Sequence, residues 1–337
     1  MICRHLPYNI LIIGIILWEG VFILHRYVIQ RFLQLIPILF GITFLTFGLM
    51  QFTQDDAVDH FYEQSGTAVS EEIKAEKRAE LGLDQPFLVQ YGRWLKGAAT
   101  GDMGTSFISG KLVFESFADK LPATVELMLV SVAMTLLVSI PCGIFAAIRQ
   151  NTALDYLIRA LTFVGNSLPN FFVALLLIYF LALQLGLFNI MGSKGDVSSV
   201  FLPALTLSIS MSAKYTRQVR AVVLEELDKP YVAGARARGV GEWTILLKSV
   251  LKASFITIIT LLALSIGSLL GGTAIVETIF MWDGVGKMAV DAILSRDYPL
   301  IQAYVVWMSV IYVGVNLAAD LLYHALDPRV RYEEGSK

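Results

Sequence analysis

The chain has 337 residues, of which 56% are hydrophobic and 16% are charged, and its mean hydropathy is +0.65. A soluble domain carries about 25% charged residues, so this composition excludes an ordinary soluble enzyme and a disordered chain. The formal net charge of −2 provides no overall field that would attract nucleic acid. Cys3 and Cys142 lie far apart in apolar surroundings, which predicts packing cysteines rather than a disulfide or a redox site.

Residues 1–25 are apolar but contain Pro7, Asn9 and Glu19. A processed signal-like segment, an additional helix and an over-long start all remain open for this extension.

Six segments are predicted to cross a membrane as helices. A helix needs about 20 mostly apolar residues to cross the hydrocarbon, because its backbone must satisfy its own hydrogen bonds there. Five segments reach that length, with the first core span taken as residues 26–52: Phe32–Phe52, Pro122–Ile148, Leu157–Phe188, Phe255–Phe280 and Leu300–Leu326. The sixth, Val200–Ala213, has only fourteen residues and is too short by length alone.

The distribution of positive charge supports the prediction that Val200–Ala213 crosses the membrane. Residues 214–253 hold eight Lys and Arg residues against four acids, and such cations favour the cytoplasm. Six crossings place this segment on the same side as Arg26, Arg31 and the tail 327–337, whereas five crossings would place it outside. We therefore predict an all-α integral membrane protein with six spans in residues 26–326 and both ends of this core in the cytoplasm.

The 69 residues 53–121 are predicted to form an extracytoplasmic insert. Ser70 can cap a helix that ends near Gly82, and Asp84-Gln85-Pro86 can open a second helix. The apolar positions of that second helix are Phe87, Leu88, Tyr91, Trp94 and Leu95. A solvated cap on the span ends and a docking surface for an external partner are both open.

Inside the cell, the segment 214–253 is predicted to form a protrusion. Tyr231–Arg238 can make a short helix, Gly239-Val240-Gly241 interrupts it, and a second short helix can follow. The apolar stripe of that second helix would be Trp243, Leu246, Leu247, Val250 and Leu251. A basic amphipathic helix lying on anionic lipid would show the same pattern, so that alternative stays open.

Polar residues inside spans are candidates for a translocation path. Pro169 removes a backbone donor beside Asn166, Ser167 and Asn170, which predicts a polar kink, with helix-packing amides as the alternative. In the fifth span, Gly267 and Gly271 form a GxxxG motif that permits close helix approach. This face is predicted to line or close the path and to pack against a partner permease. Glu277 lies toward the end of the same span, where it could also cap a neighbouring group.

Many dispersed motifs resemble one family. The segment Tyr231-Val-Ala-Gly-Ala-Arg-Ala-Arg-Gly-Val240 resembles the cytoplasmic loop of binding-protein-dependent ABC importer permeases, of the dipeptide, oligopeptide and nickel branch. The likeness covers roughly residues 26–332. Its other motifs are Arg26–Arg31, Gly82–Pro86 with Gln90-Tyr91, Gly101–Ser106, Leu121–Glu126, Leu168–Asn170, Gly284–Gly286, Arg296–Pro299 and Asp327–Arg331.

The resemblance implies a six-span permease bundle whose cytoplasmic coupling helices sit in clefts of ATPase subunits. The residues that it assigns to coupling are Tyr231, Ala235, Arg236, Arg238, Gly239, Gly241 and Leu251. Ala233-Gly234-Ala235 stands where the general importer pattern has Glu-Ala-Ala, so the glutamate contact of that pattern is not expected here.

The resemblance also implies the partners: a second permease, two ATP-binding subunits that hold ATP and Mg²⁺, an extracytoplasmic binding protein and membrane lipid, without nucleic acid. The expected location is the plasma (inner) membrane of a prokaryotic cell. The sequence itself lacks a GxxxxGK[ST] phosphate loop, and its four histidines are scattered, so we expect no enzyme activity, no cofactor and no metal site in this chain.

The substrate is predicted only by class. The segments Gly271–Trp282 and Arg296–Gln302 look closer to nickel permeases than to peptide permeases, although di- or oligopeptides remain an alternative. Nickel would then travel as a chelate. An ion-coupled secondary transporter would need inverted repeats and an ion site, and an intramembrane hydrolase would need a nucleophile facing a base, and neither pattern is found.

Overall fold

The structure is a computed structural model that describes residues 29–31, 33–50, 58–59, 62, 69–188 and 197–326. Within these ranges, the side chains of residues 197, 198, 256, 262–266, 268, 270–272 and 322–326 are not described. The predicted extension 1–25, most of residues 53–68 of the predicted insert and the predicted tail 327–337 lie outside the described residues.

Helices dominate the described chain, which confirms the all-α class. They are α1 (Ile29–Met50), α2 (Glu71–Leu81), α3 (Phe87–Ala99), α4 (Val113–Ile148), α5 (Ala153–Ser167), α6 (Asn170–Leu177), α7 (Val197–Leu227), α8 (Pro230–Ala237), α9 (Glu242–Ile245), α10 (Leu251–Ile279), α11 (Val285–Leu294) and α12 (Tyr298–Leu326). Two π-helical segments, Ile178–Gln184 and Leu246–Val250, continue α6 and join α9 to α10. In the described ranges, the isolated bridge between Thr105 and Leu112 is the only β pairing.

Length and composition identify four of the described helical stretches as able to cross a membrane, and a bent pair would make a fifth. The four are Ile29–Met50, Val113–Ile148, Glu242–Leu261 and Tyr298–Leu321. The pair is Ala153–Ser167 with Asn170–Gln184. The sixth predicted span lies within α7, which is not among these candidates.

Helix α7 is the centre of the bundle and is far longer than the fourteen residues predicted for that span. It has 31 residues and contributes buried side chains to both large apolar clusters, from Val200 and Leu207 in one to Val219 and Val223 in the other. Because α7 faces protein rather than lipid, it can carry hydroxyl groups that bond to its own backbone: Thr206 Oγ1 donates to the carbonyl of Leu202 over 2.9 Å. Its low hydropathy therefore follows from its central position.

Small residues allow α4 to approach α7 closely. From Leu127 to Ala147, every fourth residue of α4 is buried, and most of these residues are small: Leu127, Ser131, Thr135, Ser139, Gly143 and Ala147. A Cβ on Gly143 would lie 2.6 Å from Cβ of Val219, so only glycine fits at that crossing. The helix begins at Val113, and the last residues of the predicted insert 53–121 are therefore its first turns.

The predicted third span, Leu157–Phe188, is not a single tilted helix. Helices α5 and α6 are bent by 103° at Leu168-Pro169. Pro169 has no N–H to donate, and Leu168 adopts the extended conformation that precedes proline (φ −83°, ψ 130°). The predicted kink is thus a full break.

The predicted helices of the insert are confirmed as α2 and α3. Ser70 occupies the N-cap position of α2, but its side chain makes no capping hydrogen bond, and Gly82 ends α2 with a positive φ of 69°. Helix α3 begins directly after Pro86 and packs on α1 through an aromatic cluster in which the Tyr91 ring contacts Phe44 and Phe87. Tyr91 is buried, whereas Leu88, which was predicted to share its face, is exposed.

Candidate functional site

A short helix and a glycine turn project from the end of the bundle, and we call residues 230–250 the protrusion. Helix α8 ends at Ala237, and Gly239, two residues later, has a φ of +77°. The N–H of Gly239 donates to the carbonyl of Arg236 (2.9 Å), and the N–H of Val240 donates to that of Ala235 (3.2 Å). This pair of bonds is a Schellman motif, which requires the left-handed conformation at Gly239. The predicted helix and glycine interruption are confirmed.

The second predicted short helix is not a separate element in the structure, because α9 does not end in a loop. It passes through the π-helical segment into α10. Within the predicted apolar stripe, Leu246 and Val250 are buried, whereas Trp243 and Leu247 are exposed. A π-helical turn shifts the register of the side chains around the axis, so the stripe divides into an inner and an outer face.

The inner face ties the protrusion to the bundle. Val232 of α8 and Ile245 of α9 are fully buried in one apolar cluster with Tyr215 and Val219 of α7. The hydroxyl of Tyr215 also donates to the carbonyl of Leu261 in α10 over 3.2 Å. Force applied to the protrusion would therefore reach α7 and α10 together.

The outer face is apolar and bordered by ion pairs. Trp243 is 66% exposed, and Tyr231, Val240 and Leu247 are exposed as well. Across the glycine turn, Arg236 Nε donates to Glu242 Oε1 over 2.7 Å. Partial burial of the Tyr231 hydroxyl, together with its 2.9 Å hydrogen bond to Glu226, raises the pKa of Tyr231 to about 12, so this side chain stays neutral at physiological pH.

The coupling residues predicted from the sequence divide between the two faces. Tyr231, Arg236, Arg238, Gly239 and Gly241 are exposed. Ala235 and Leu251 are partly buried against the inner cluster. Trp243 and Leu247 are exposed, and they were predicted as members of the apolar stripe and not as coupling residues.

At the break after α5, the predicted path residues lie on different elements. Asn166 and Ser167 are exposed at the end of α5, and the Ser167 hydroxyl donates to the carbonyl of Phe163 over 2.8 Å. Pro169 is the N-cap residue of α6, and Asn170 Oδ1 accepts a 2.5 Å hydrogen bond from Ser210 of α7. At the break, Asn170 therefore contacts α7, whereas Asn166 and Ser167 lie on the surface.

Gly267 brings α10 against α12 of the same chain. A Cβ at this position would lie 2.9 Å from Tyr312 Cε2 and 3.2 Å from Asn316 Oδ1. A close helix approach is therefore present at Gly267, and the neighbouring helix at that point is α12 of the same chain. The packing of this face on a partner permease stays a prediction. Gly271 lies one turn later in α10.

Glu277 caps the helix that follows the turn after α10. Its carboxylate is fully buried and accepts hydrogen bonds from the backbone N–H of Lys287 (2.9 Å) and from Thr124 Oγ1 of α4 (2.8 Å). Thr124 Oγ1 in turn accepts from the N–H of Val285 (2.9 Å). The free N–H groups of the first turn of α11 are thus satisfied by two side chains from other helices.

A second polar contact joins the predicted insert to the loop before α12. Ser106 donates to Asp297 Oδ2 (2.5 Å), and the N–H of Phe107 donates to Asp297 Oδ1 (3.1 Å). Both ends belong to motifs that carried the family resemblance, Gly101–Ser106 and Arg296–Pro299. Sequence reasoning singled out each motif but did not pair them, because nothing local relates residues 191 positions apart.

Among the described residues, no group of three or more His, Cys, Asp or Glu side chains could hold a metal ion.

Comparisons with known proteins extend these observations. A family model described as "Binding-protein-dependent transport system inner membrane component" matches residues 139–332, and a model of the N-terminal part of such components matches residues 24–128. The oligopeptide transport system permease protein AppB of Bacillus subtilis (strain 168) is 38% identical over 316 residues, which cover 91% of this chain and 99% of that protein.

Two further comparisons bear on substrate and fold. The metal-staphylopine import system permease protein CntB of Staphylococcus aureus (strain NCTC 8325 / PS 47) is 32% identical over 313 residues, with 93% of this chain and 99% of that protein covered. A solved structure of the MetNI methionine ABC transporter in inward-facing conformations has a TM-score of 0.55 at 16% identity and covers 63% of this chain and 96% of that chain. At that identity the likeness concerns the fold alone.

Proposed function

We propose a mechanism and a substrate class from one premise: the chain belongs to the family of binding-protein-dependent transport system inner membrane components and is a permease subunit of an ABC importer. The resemblance carried by the sequence motifs is therefore confirmed. The chain lies in the inner membrane and works with a second permease, ATP-hydrolysing subunits and a substrate-binding protein. ATP hydrolysis belongs to those partner subunits.

The proposed topology places the protrusion and the segment 327–337 in the cytoplasm and the insert 53–121 outside. The cation-rich segment 214–253 supports this orientation, because Lys and Arg near span ends favour the cytoplasm. The insert, the turn before α11 and the loop before α12 then lie together on the outer side, in agreement with the contact between Ser106 and Asp297.

In this topology the outer face of the protrusion docks into a cleft of an ATPase subunit. The observation that carries the proposal is the division of one short segment into two apolar faces. Val232 and Ile245 are buried against α7, whereas Trp243 and Leu247 are exposed beside the turn. An exposed aromatic residue with apolar neighbours and a charged border is typical of a protein interface.

Closure of the ATPase subunits would then move α7 and α10 through the inner face and open the bundle to the outside. The polar break at Asn166, Ser167, Pro169 and Asn170 would line the path. Gly267 and Gly271 would permit α10 to slide on its neighbours. Glu277 would keep the outer turn attached to α4 during that motion.

Site-specific photo-crosslinking in the assembled transporter tests this arrangement. A photoreactive residue in place of Trp243, or of Arg238 beside the turn, is expected to crosslink to an ATPase subunit. Leu88 provides a matched control, because it is 69% exposed but lies in the insert. A photoreactive residue at Leu88 should not crosslink to an ATPase subunit. It is expected to crosslink to the binding protein if that protein docks on the insert. Crosslinks of Leu88 to an ATPase would contradict the topology, and crosslinks of Trp243 to lipid alone would contradict the docking of the protrusion.

The proposed solute is a di- or oligopeptide delivered by the binding protein. The 38% identity to an oligopeptide permease over 91% of the chain supports this class. Uptake of a labelled peptide mixture by proteoliposomes that contain the full transporter tests it, with a transporter lacking the binding protein as the control. Absence of peptide uptake by the complete system would refute the proposal.

Chelated nickel is the second candidate, supported by the identity to a metal-staphylopine import permease over 93% of the chain. The two candidates differ in what the binding protein carries. Mass spectrometry and metal analysis of that protein, purified with its ligand, should find peptide without metal in the first case and nickel with an organic chelator in the second.

A further inference from the structure

Three arginines surround a cavity between α5 and α7 that the transport mechanism does not use. The cavity has a volume of about 530 Å³ and is lined by Tyr156, Arg159, Ala160, Phe163, Arg217 and Arg220. The first four residues are on α5, at the i, i+3, i+4 and i+7 spacing of one helix face, and the other two are on α7. We call this cavity the basic pocket.

One of the three positive charges is neutralised within the protein. Arg220 binds Asp155 through two hydrogen bonds of 2.8 Å, and the fully buried Asp155 also accepts the N–H of Asn151 over 3.0 Å. Arg159 lies over the ring of Tyr156, with Cζ 5.5 Å from the ring centroid. Arg159 also interacts electrostatically with the carboxylate of Asp155. Three arginine charges against one aspartate charge leave the pocket with a net positive charge.

The surroundings of the basic pocket are those of a membrane surface. The polar turn Arg149–Thr152 precedes α5 and lies within two turns of the first pocket residue. Beside the pocket, along the same stretch, α5 presents exposed apolar residues, among them Leu157, Leu161 and Val164. Positive charge at the junction of polar and apolar surface matches the headgroup of an anionic phospholipid, with its phosphate among the arginines and its acyl chains along α5.

We propose that the basic pocket binds the phosphate of an anionic phospholipid headgroup in the leaflet on the protrusion side. Arg159 and Arg217 contact the phosphate from two helices, while Asp155 holds Arg220 in place. A bound lipid would join α5 to α7 at the end of the bundle where the protrusion begins.

Native mass spectrometry of the assembled transporter in mild detergent tests the proposal. Retention of added phosphatidylglycerol is compared with retention of phosphatidylcholine, for the unaltered chain and for the double variant R159Q/R217Q. Each cation near the membrane surface contributes about a factor of five in lipid affinity, so the double variant should bind phosphatidylglycerol about thirty-fold more weakly. R149Q is the comparison variant, because Arg149 lies in the polar turn before α5 and does not line the pocket. It should lose no more than the roughly five-fold of one surface cation, and a loss as large as that of R159Q/R217Q would overturn the proposal.

The other occupants give distinguishable results. If inorganic phosphate raises the thermal midpoint of the transporter as much as phosphatidylglycerol does, the pocket is a general anion site and the proposal is overturned. If R159Q/R217Q releases the second permease and leaves lipid retention unchanged, the pocket is a subunit interface and the proposal is likewise overturned. Should the double variant fail to assemble, R217Q alone is expected to lose about five-fold in retention and R217K to recover part of that loss. Equal retention by R217Q and the unaltered chain would refute lipid binding.

Discussion

The hydroxyl of Thr124 in α4 donates a 2.8 Å hydrogen bond to the buried carboxylate of Glu277 in α10, and the two side chains together cap α11. This arrangement leaves room only for glycine at two positions, Gly284 and Gly286, where the chain passes from α10 into α11. A Cβ at Gly284 would lie 2.4 Å from Glu277 Oε2, and a Cβ at Gly286 would lie 2.8 Å from the same oxygen. A Cβ at Gly286 would also lie 2.7 Å from Cα of Ala274, so the motif Gly284-Val-Gly286 is explained by the carboxylate together with the close approach of α10.

Replacement of Glu277 by alanine is expected to destabilise the end of the bundle that carries α11. The variant leaves buried N–H groups of α11 without an acceptor, at a cost of about 1–3 kcal/mol for each unsatisfied group. The thermal midpoint of the purified transporter should fall by several degrees, and E277Q, which keeps one acceptor oxygen, should recover part of the loss. An E277A variant with an unchanged midpoint and reduced uptake would instead assign Glu277 to the solute path.

A substitution at Gly239 is expected to uncouple ATP hydrolysis from uptake. A residue with a Cβ in the left-handed conformation costs about 1–2 kcal/mol, so Gly239→Val should distort the turn between α8 and α9. Gly92→Val on α3 is the matched control, because Gly92 lies outside the protrusion, its φ is not positive, and a Cβ there would meet nothing within 4 Å. Uptake and ATPase activity are measured in proteoliposomes. G239V should retain ATPase activity with little uptake, and G92V should retain both. Equal uptake in the two variants would contradict the assignment.

Local sequence signals predicted the ends of the short helices. The length of α7 and the cap of α11 depend on contacts between residues that are distant in sequence. Gly82 and Gly239 end helices because a Schellman motif needs only neighbouring residues. The length of α7 could not be predicted from hydropathy. A hydropathy scale identifies helices whose side chains are apolar enough to face lipid, whereas α7 faces other helices and carries polar residues. The cap formed by Glu277 depends on α4, more than 150 positions away, and no local pattern identifies such a partner.

Replacement of Gly267 by leucine is expected to separate α10 from α12. Because a Cβ alone would lie 2.9 Å from Tyr312 Cε2, the larger side chain forces a repacking that costs about 1–3 kcal/mol. Gly314→Leu on α12 provides the control, since a Cβ at Gly314 meets nothing within 4 Å. Thermal midpoints of the two purified variants test this. A G267L variant as stable as G314L would show that the helices do not approach at this position.

The insert is expected to lose an ionic contact in acid. Burial of Asp59 opposes its ionisation, but hydrogen bonds from Lys74 (3.0 Å) and Arg78 (2.7 Å) on α2 outweigh that effect and lower the pKa of Asp59. A carboxylate with a lowered folded-state pKa stabilises the fold above its unfolded pKa of about 4, and this stabilisation disappears as the pH falls through the folded value. The thermal midpoint of the unaltered transporter should therefore exceed that of D59N at pH 7, and the two midpoints should converge as the pH is lowered below about 4. Lys77→Gln is a suitable control, because Lys77 pairs with Glu80 on the surface of α2 and not with Asp59. A difference between D59N and the unaltered chain that stays constant down to pH 3 would show that the charge of Asp59 is not what stabilises the contact.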